Sequence, residues 1–206
     1  MTSIKRTKRK VSIKRIQEKI LEIAIELAKK GEGALFVIGE KVSYDLLIKQ
    51  KIESFNVCDT GALKVLKSIA TVDGAVIITK EGNVIAYGAM IRGARPFKGY
   101  GTRHAAALHA SKKGNITIAC SEEERKVKIF KNGKFLMQID ALQKNVEKEI
   151  PAITELLESF GAGVAGLIGA SVLVPALGIA FLPGVIVFGA GYYGLKKLIT
   201  HLNRHS

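Results

Sequence analysis

The chain has 206 residues, with 32 Lys and Arg against 18 Asp and Glu, and so a formal net charge of +14. This length predicts one core domain with room for an appendage. The two cysteines, Cys58 and Cys120, lack disulfide or metal-ligand spacing. Their pattern excludes a disulfide scaffold and favours a reducing compartment.

The basic excess is concentrated at the start of the chain. Residues 1–15 carry seven Lys and Arg and no acidic residue. Such a segment attracts anionic surfaces, either nucleic acid or the cytoplasmic leaflet of a membrane, and the alternative is a solvated tail. No apolar signal segment is expected before the first helix. We therefore predict a basic tail over residues 1–11.

The first half of the chain alternates helical and strand patterns. Apolar residues recur at helical spacing over residues 12–30, where Gly31 and Gly33 end the pattern. The apolar run 34–38 is typical of a strand buried on both faces. Further helices are predicted at 43–52 and at 59–70, the latter capped by Asp59 or Thr60. Strands follow at 76–79 and 84–90, joined by a turn at 81–83.

The second half continues the alternation. A helix capped by Thr102 is predicted at 102–113, and a buried strand at 116–120. Asn132-Gly133 predicts a hairpin of strands 127–130 and 135–139. Asp140 is expected to cap a last helix that reaches residue 160 and bends near Pro151. The predicted fold class is α/β (α+β), with a mixed central sheet flanked by helices over residues 12–158.

Residues 159–195 contain no charged residue, and a basic tail follows to residue 206. Pro175 and Pro183 favour a break in the middle of this apolar run. Because one membrane span needs roughly 20 apolar residues, the run predicts a membrane-associated helical hairpin. Both ends would then stay in the cytosol, which places the chain at the cell membrane with its folded domain cytoplasmic. The alternative is a buried hairpin in a soluble oligomer.

The segment Gly101–Ala107 carries the strongest chemical signal. Arg103 in the first turn of a helix opposes the helix dipole, and an anion at that helix start would reverse the effect. Free N–H groups, the Thr102 hydroxyl, a guanidinium and the His104 imidazole together predict a phosphate site. The alternative is a capped helix with a solvated Arg and His.

Three motifs at characteristic separation resemble the diadenylate cyclase (DAC) domain. They are Asp73-Gly74-Ala75, Gly101-Thr102-Arg103-His104-Ala105-Ala106 and Ser121-Glu122-Glu123, and the resemblance runs from the first helix to Ile139. It implies that two ATP molecules condense into cyclic di-AMP with release of two pyrophosphates. It further implies a face-to-face homodimer in which each 3′-hydroxyl attacks the α-phosphate of the other nucleotide.

The resemblance also implies roles for individual residues. Asp73 would hold Mg²⁺ or Mn²⁺, together with Glu122. Asp73, Arg103 and His104 would be the catalytic residues. The substrate-binding residues would be Gly74, Ala75, Gly101, Thr102, Arg103, His104 and Ser121. These residue types suit phosphoryl transfer, which depends on positioning and charge neutralisation.

One departure from the family pattern bears on function. The family motif is commonly Arg-His-Arg, but position 105 is Ala here. A third phosphate contact would then come from Arg92, Arg95 or Lys98. An alternative function is therefore a catalytically weak nucleotide or cyclic-dinucleotide sensor at the membrane. Another is a basic adaptor for membrane surfaces or nucleic acid, although a DNA-scanning module is lacking.

Overall fold

The computed structural model describes residues 11–47, 53–95, 101–159 and 185–187, and it shows a mixed α+β fold. The helices are α1 (Ile13–Lys30), α2 (Ala62–Ala70), α3 (Thr102–Ala110) and α4 (Ile150–Ser159), with a 3₁₀ helix at Val146–Glu149. The strands are β1 (Ala34–Ile38), β2 (Tyr44–Leu46), β3 (Phe55–Asn56), β4 (Ala75–Ile78), β5 (Asn83–Ile91), β6 (Ile116–Ser121), β7 (Lys126–Lys131), β8 (Lys134–Asp140) and β9 (Val185–Val187). The predicted fold class is confirmed.

The strands form one mixed sheet in the order β2-β5-β4-β1-β6-β7-β8-β9, and β3 pairs separately with β5. The central strand β1 is parallel to β4 and antiparallel to β6. The buried side chains of α1, α2 and α4 pack on one face of the sheet, while those of α3 pack on the other. Strands covered on both faces explain the continuous apolar runs in the sequence.

Helix α1 has the limits that its sequence predicts. The Ser12 hydroxyl accepts a hydrogen bond from the Arg15 backbone N–H, and Gly31 ends the helix in the left-handed conformation. The stripe of isoleucines, including Ile16 and Ile20, is fully buried against the sheet. Burial of each such side chain contributes about 1.5–3 kcal/mol relative to exposure. The amphipathic pattern therefore fixes which face of α1 covers the sheet.

Helix α3 is held at its C-terminal end. Thr117 Oγ1 donates to the Ala107 carbonyl at 2.8 Å, and Asn115 Nδ2 donates to the Ala110 carbonyl at 2.9 Å. The small side chains of Ala107 and Ala110 are buried and allow the helix to lie close to the sheet. These contacts fix the direction of α3 and therefore the position of its N-terminus.

The helix predicted at 43–52 is wrong where the structure describes it. Tyr44–Leu46 is strand β2, antiparallel to β5, with Tyr44 opposite Ile91. The Leu47 N–H extends this pairing by donating to the Gly88 carbonyl at 3.1 Å. An available strand edge decides the conformation here, since strand preference depends on a partner more than on local sequence. Residues 48–52 lie outside the described residues.

The predicted N-caps of α2 and α3 are also wrong. Glycines occupy both cap positions, Gly61 and Gly101, and neither helix has a side-chain cap hydrogen bond. Thr102 is instead the first residue of α3. Its hydroxyl is therefore not used as the helix cap.

The last helix begins later than the sequence predicts. Asp140 Oδ1 accepts a hydrogen bond from the Leu142 N–H at 2.9 Å, so Asp140 stabilises a turn and not a helix start. Helix α4 begins only at Ile150, after the 3₁₀ helix. Pro151 falls in its first turn, where proline removes no intrahelical hydrogen bond. The predicted bend at Pro151 is therefore replaced by a helix start.

Most of the predicted apolar hairpin lies outside the described residues, as do residues 1–10 of the N-terminal basic tail and the whole basic tail that ends at residue 206. Val185–Val187 is described, and it forms strand β9 antiparallel to β8, with Val185 opposite Ile139. These three residues therefore form a strand at the edge of the sheet, whereas the sequence predicts a helix there. Within the described ranges, no helix combines the length and apolarity needed to cross a membrane.

Candidate active site

The sheet topology brings three separate chain segments to the same end of the central strands, which is called the site edge of the sheet here. Strands β1 and β4 are parallel, so the residues before them, Gly33 and Asp73-Gly74, lie at the same edge. Strand β6 is antiparallel to β1, with Ala34 opposite Cys120, so its C-terminal end reaches this edge too. The edge therefore collects the acidic turn after β6 and the Asp-Gly motif before β4.

A pocket of about 500 Å³ lies at this edge, beneath the N-terminus of α3. Its volume falls within the roughly 300–1,000 Å³ of small-molecule sites. All nine residues predicted to form the site line it: Asp73, Gly74, Ala75, Gly101, Thr102, Arg103, His104, Ser121 and Glu122. The carboxylate of one motif and the guanidinium of another thus line the same pocket. The individual roles of these residues stay predictions.

Arg103 and Glu122 form an ion pair within the pocket. Arg103 Nη1 lies 2.7 Å from Glu122 Oε1, and the two side chains are 32% and 53% exposed. An ion pair this exposed contributes only about 0–1 kcal/mol to folding. The pair therefore matters mainly because it holds a cation and a carboxylate in defined places. A ligand bearing anionic oxygens and a metal ion could engage both partners.

Gly33 makes room for this ion pair. A Cβ atom on Gly33 would lie 2.1 Å from both Arg103 Nη1 and Glu122 Oε1. From the sequence, Gly33 is predicted to end α1 and to open the strand segment within the family resemblance, and it is not predicted to be a site residue. The missed signal is a glycine directly before a fully buried strand, which often marks a close approach by another group.

We expect Gly33→Ala to displace the Arg103–Glu122 pair with little effect on the fold. The atoms that meet the new methyl group are the ends of flexible side chains, so the free energy of unfolding should change by less than about 1 kcal/mol. Misplaced binding groups should lower turnover on the order of ten- to a hundredfold. Urea unfolding and a turnover assay would test this. A large loss of stability with normal turnover per folded molecule would contradict it.

The Asp-Gly motif has a tightly packed backbone in a conformation that favours glycine. Gly74 adopts φ +101°, and its N–H donates to Asp73 Oδ1 at 3.0 Å. A Cβ on Gly74 would lie 2.6 Å from the Gly88 carbonyl carbon of β5. Glycine is therefore needed at position 74 both for its conformation and for the approach of β5. Asp73 itself is exposed on the pocket wall.

Burial affects the pKa of two residues that line the pocket, although the Cys120 thiol itself lies on the α1 side of the sheet, where Sγ donates to the Ala24 carbonyl at 3.3 Å. Burial lowers the pKa of His104, and the cations Lys128 and Arg103 lower it further against the opposing effect of Glu124. The imidazole is therefore neutral at pH 7 and can act as a hydrogen-bond partner. Burial raises the pKa of Cys120 to about 12. The Cys120 thiol is thus protonated at neutral pH and unsuited to act as a nucleophile.

Lys128 is a pocket residue that the sequence analysis missed. Lys128 is only 5% exposed, and its ammonium lies 2.5 Å from Glu124 Oε1. The hydrogen bond from Lys128 holds the pKa of Glu124 below its ordinary value. Glu124 is exposed and engaged in this contact. The available signal was a lysine between Val127 and Ile129 in a strand pattern.

Two of the three alternatives for a third phosphate contact, Arg92 and Arg95, are described by the structure and do not line the pocket. Arg92 Nε donates to Asp45 Oδ2 at 2.7 Å on the surface. Neither Arg92 nor Arg95 is among the residues that line the pocket, whereas Ala105 and Lys128 are. Lys98 lies outside the described residues. Among the described pocket residues, the cations are Arg103 and Lys128.

The fold and the pocket define an α+β protein with a candidate phosphate-binding site at a helix N-terminus. The chain belongs to the DisA bacterial checkpoint controller nucleotide-binding (DAC) family, whose model matches residues 22–135. That range includes all three motifs described above.

Two curated relatives are named diadenylate cyclase. The protein from Methanocaldococcus jannaschii is 31% identical over 142 residues, which cover 62% of this chain and 46% of that protein. The protein from Haloferax volcanii is 32% identical over 139 residues, which cover 59% and 51%. The chain therefore spans about half the length of the curated relatives it matches.

Two solved structures are similar at low identity. DacA from Staphylococcus aureus is 19% identical with a TM-score of 0.47, over 70% of this chain and 94% of that chain. A hypothetical membrane spanning protein from Bacillus cereus is 21% identical with a TM-score of 0.43, over 56% and 59%. Family membership depends on the sequence match and not on these superpositions.

Proposed function

We propose that this chain is a diadenylate cyclase that converts two ATP molecules into cyclic di-AMP and two pyrophosphates. The single observation that carries the proposal is that Asp73 and Arg103 line one pocket in a chain of the DAC family. The named activity of two relatives supports the choice of reaction. The pocket volume suits one nucleotide per chain.

The donor set in the pocket fits a hard divalent cation. Asp73 and Glu122 supply carboxylate oxygens, which Mg²⁺ and Mn²⁺ prefer. Among the described residues, no group of three or more His, Cys, Asp or Glu could hold a metal alone. This agrees with Mg²⁺ sites in which one or two carboxylates and the substrate phosphates share the ion. When bound there, the ion would offset phosphate charge and acidify a coordinated hydroxyl.

The charge of the pocket also favours a nucleotide accompanied by a cation. Four carboxylates line it, from Asp73, Glu122, Glu123 and Glu124, against the two cations Arg103 and Lys128. A triphosphate alone would be repelled by this excess of negative charge. We therefore expect ATP to bind as its complex with Mg²⁺ or Mn²⁺.

The remaining residues act by positioning. The Thr102 hydroxyl, the Arg103 guanidinium and the first N–H groups of α3 would donate to phosphate oxygens. The neutral His104 imidazole would donate one further hydrogen bond. Gly74 and Ala75 would let the strand backbone come close to the nucleotide, and Ser121 would line the phosphate and metal side of the pocket. Together these donors stabilise charge that develops on the α-phosphate.

The reaction requires two nucleotides, so we propose that two chains bring their pockets face to face. The 3′-hydroxyl of each ATP loses its proton to water, and its oxygen forms a bond to the α-phosphorus of the other. The bond from that phosphorus to the bridging oxygen of the β-phosphate breaks, and pyrophosphate leaves. Each chain then contributes one ATP and one set of phosphate donors.

The direct test is to incubate the purified protein with ATP and Mn²⁺ and to measure cyclic di-AMP and pyrophosphate. We expect two pyrophosphates for each cyclic di-AMP. We also expect the rate per chain to rise with protein concentration, because each site needs two chains. Absence of cyclic di-AMP at every concentration would reject the cyclase, and a constant rate down to the monomer would reject the shared site.

A second candidate is a nucleotide-binding sensor without turnover. The observation that favours it is Ala105, which lines the pocket and is 4% exposed. Alanine has no charged group, so this position supplies no cation for a phosphate. This candidate predicts ATP binding without pyrophosphate release in the same assay. Membrane association through residues 159–195, a membrane location and the binding partners of the basic tail stay predictions.

A further inference from the structure

Lys128 lies in the middle of a buried strand and not at a strand end. It is opposite Ala119 of β6 and Gln138 of β8. Its neighbours Val127 and Ile129 belong to the core on the α1 side of the sheet. Successive residues of a strand face opposite sides, so Lys128 faces the α3 side, where the pocket lies.

Glu124 contacts two lysines of β7, and these two lysines differ in exposure. Lys126 Nζ lies 3.6 Å from the other oxygen of Glu124 while its own side chain is 33% exposed. The Lys128 side chain is 6% exposed, and Glu124 is 43% exposed. Glu124 therefore has a more accessible cation beside it. Removing an ammonium from water is unfavourable unless its surroundings compensate the charge.

The surroundings of Lys128 are those of the candidate phosphate site. Lys128 lines the same pocket as Arg103 and His104, and its charge acts on the His104 imidazole. Arg103 is already bonded to Glu122. Lys128 is a second cation in this pocket, and it would therefore increase the attraction of the pocket for a polyanion.

We propose that the ammonium of Lys128 binds a non-bridging oxygen of the substrate's phosphate chain, on the part of the pocket wall that β7 forms. The proposal rests on the function proposed above and adds a substrate-binding residue to it. Glu124 is then a positioning residue, because its hydrogen bond orients the ammonium.

The test compares Lys128→Met with the matched control Lys126→Met. Both replace a lysine of β7 that contacts Glu124, but Lys126 does not line the pocket. The probes are 3′-deoxy-ATP with Mg²⁺, which lacks the attacking hydroxyl, and adenosine, which lacks phosphates. Dissociation constants are measured by calorimetry, with circular dichroism as the check on folding.

We expect Lys128→Met to weaken binding of 3′-deoxy-ATP by roughly ten- to a hundredfold, as for loss of a charged hydrogen bond. Binding of adenosine should change less than about twofold, and Lys126→Met should bind both probes like the wild type. Lys128→Gln is the second variant if the methionine variant does not fold, and it should show the same selective loss.

Equal loss for both probes would show a structural role and overturn the proposal, as would unchanged binding of 3′-deoxy-ATP. The probe cannot be cyclised, so the result is separate from the cyclase assay. If the wild type binds the probe but makes no cyclic di-AMP, the cyclase proposal fails and Lys128 is still tested. A wild type that does not bind the probe overturns the assignment of Lys128 as well.

Discussion

Replacing Asp73 by asparagine should lower metal-dependent cyclic di-AMP formation by at least about a hundredfold. Mutation of a residue that only orients a metal ligand typically lowers activity about 10- to 100-fold, and loss of the ligand itself should have a larger effect. Asparagine keeps the oxygen that accepts the Gly74 N–H and removes only the negative charge. Asp73 is exposed, so the free energy of unfolding should stay within about 0.5 kcal/mol of the wild type. Turnover across a Mn²⁺ titration and urea unfolding are the measurements.

The matched control is Asp59→Asn. Asp59 is also exposed, and its Oδ2 also accepts one backbone N–H, from Asn56 at 3.2 Å. It does not line the pocket. The control should therefore keep normal turnover and normal dependence on Mn²⁺. If Asp73→Asn retains turnover, or if both variants lose it equally, Asp73 is not the metal ligand.

Replacing Gly74 by alanine should destabilise the fold by about 2–5 kcal/mol. About 1–2 kcal/mol arises because a non-glycine residue is strained at φ +101°. A further 1–3 kcal/mol or so is expected from the contact of the methyl group with the Gly88 backbone, which cannot move as freely as a side-chain end. The free energy of unfolding in urea is the measurement.

Gly61→Ala separates these two contributions. Gly61 adopts φ +82°, but a Cβ there would meet nothing within 4 Å. The free energy of unfolding of this variant should fall only by the conformational cost of about 1–2 kcal/mol. Part of that cost is offset because alanine reduces the conformational entropy of the unfolded chain. Equal losses for the two glycines would show that the close approach of β4 and β5 at Gly74 is not important.

Much of the fold could be predicted because the decisive signals are local. The isoleucine stripe between Ser12 and Gly31 defines α1, and Asn132-Gly133 defines the hairpin of β7 and β8. Both asparagine and glycine at that turn have positive φ, as a two-residue hairpin turn requires. The class of fold follows from the alternation of such elements.

The errors fall where a distant partner determines the local structure. Tyr44–Leu46 is a strand because the edge of β5 is available, and Val185–Val187 is a strand because β8 offers its edge. The sequence between Asp140 and Pro151 contains a plausible helix cap, yet the helix starts at Ile150. Short segments have weak intrinsic preferences, so pairing energy exceeds local propensity.

The residue types of the site were determined by the sequence alone. The Asp-Gly motif, the Arg-His pair at a helix start and the acidic turn after a strand are contiguous motifs. The chemistry of the Arg-His pair indicates a phosphate, and the family resemblance implies a cation. Only the tertiary structure decided that they share one pocket, that Gly33 makes room for the Arg103–Glu122 pair, and that Lys128 lines the wall. The physical reason is that contiguous residues define donors and acceptors, whereas strand order and direction define which of them meet. That order depends on burying the whole sheet between its helices, and no single motif encodes it.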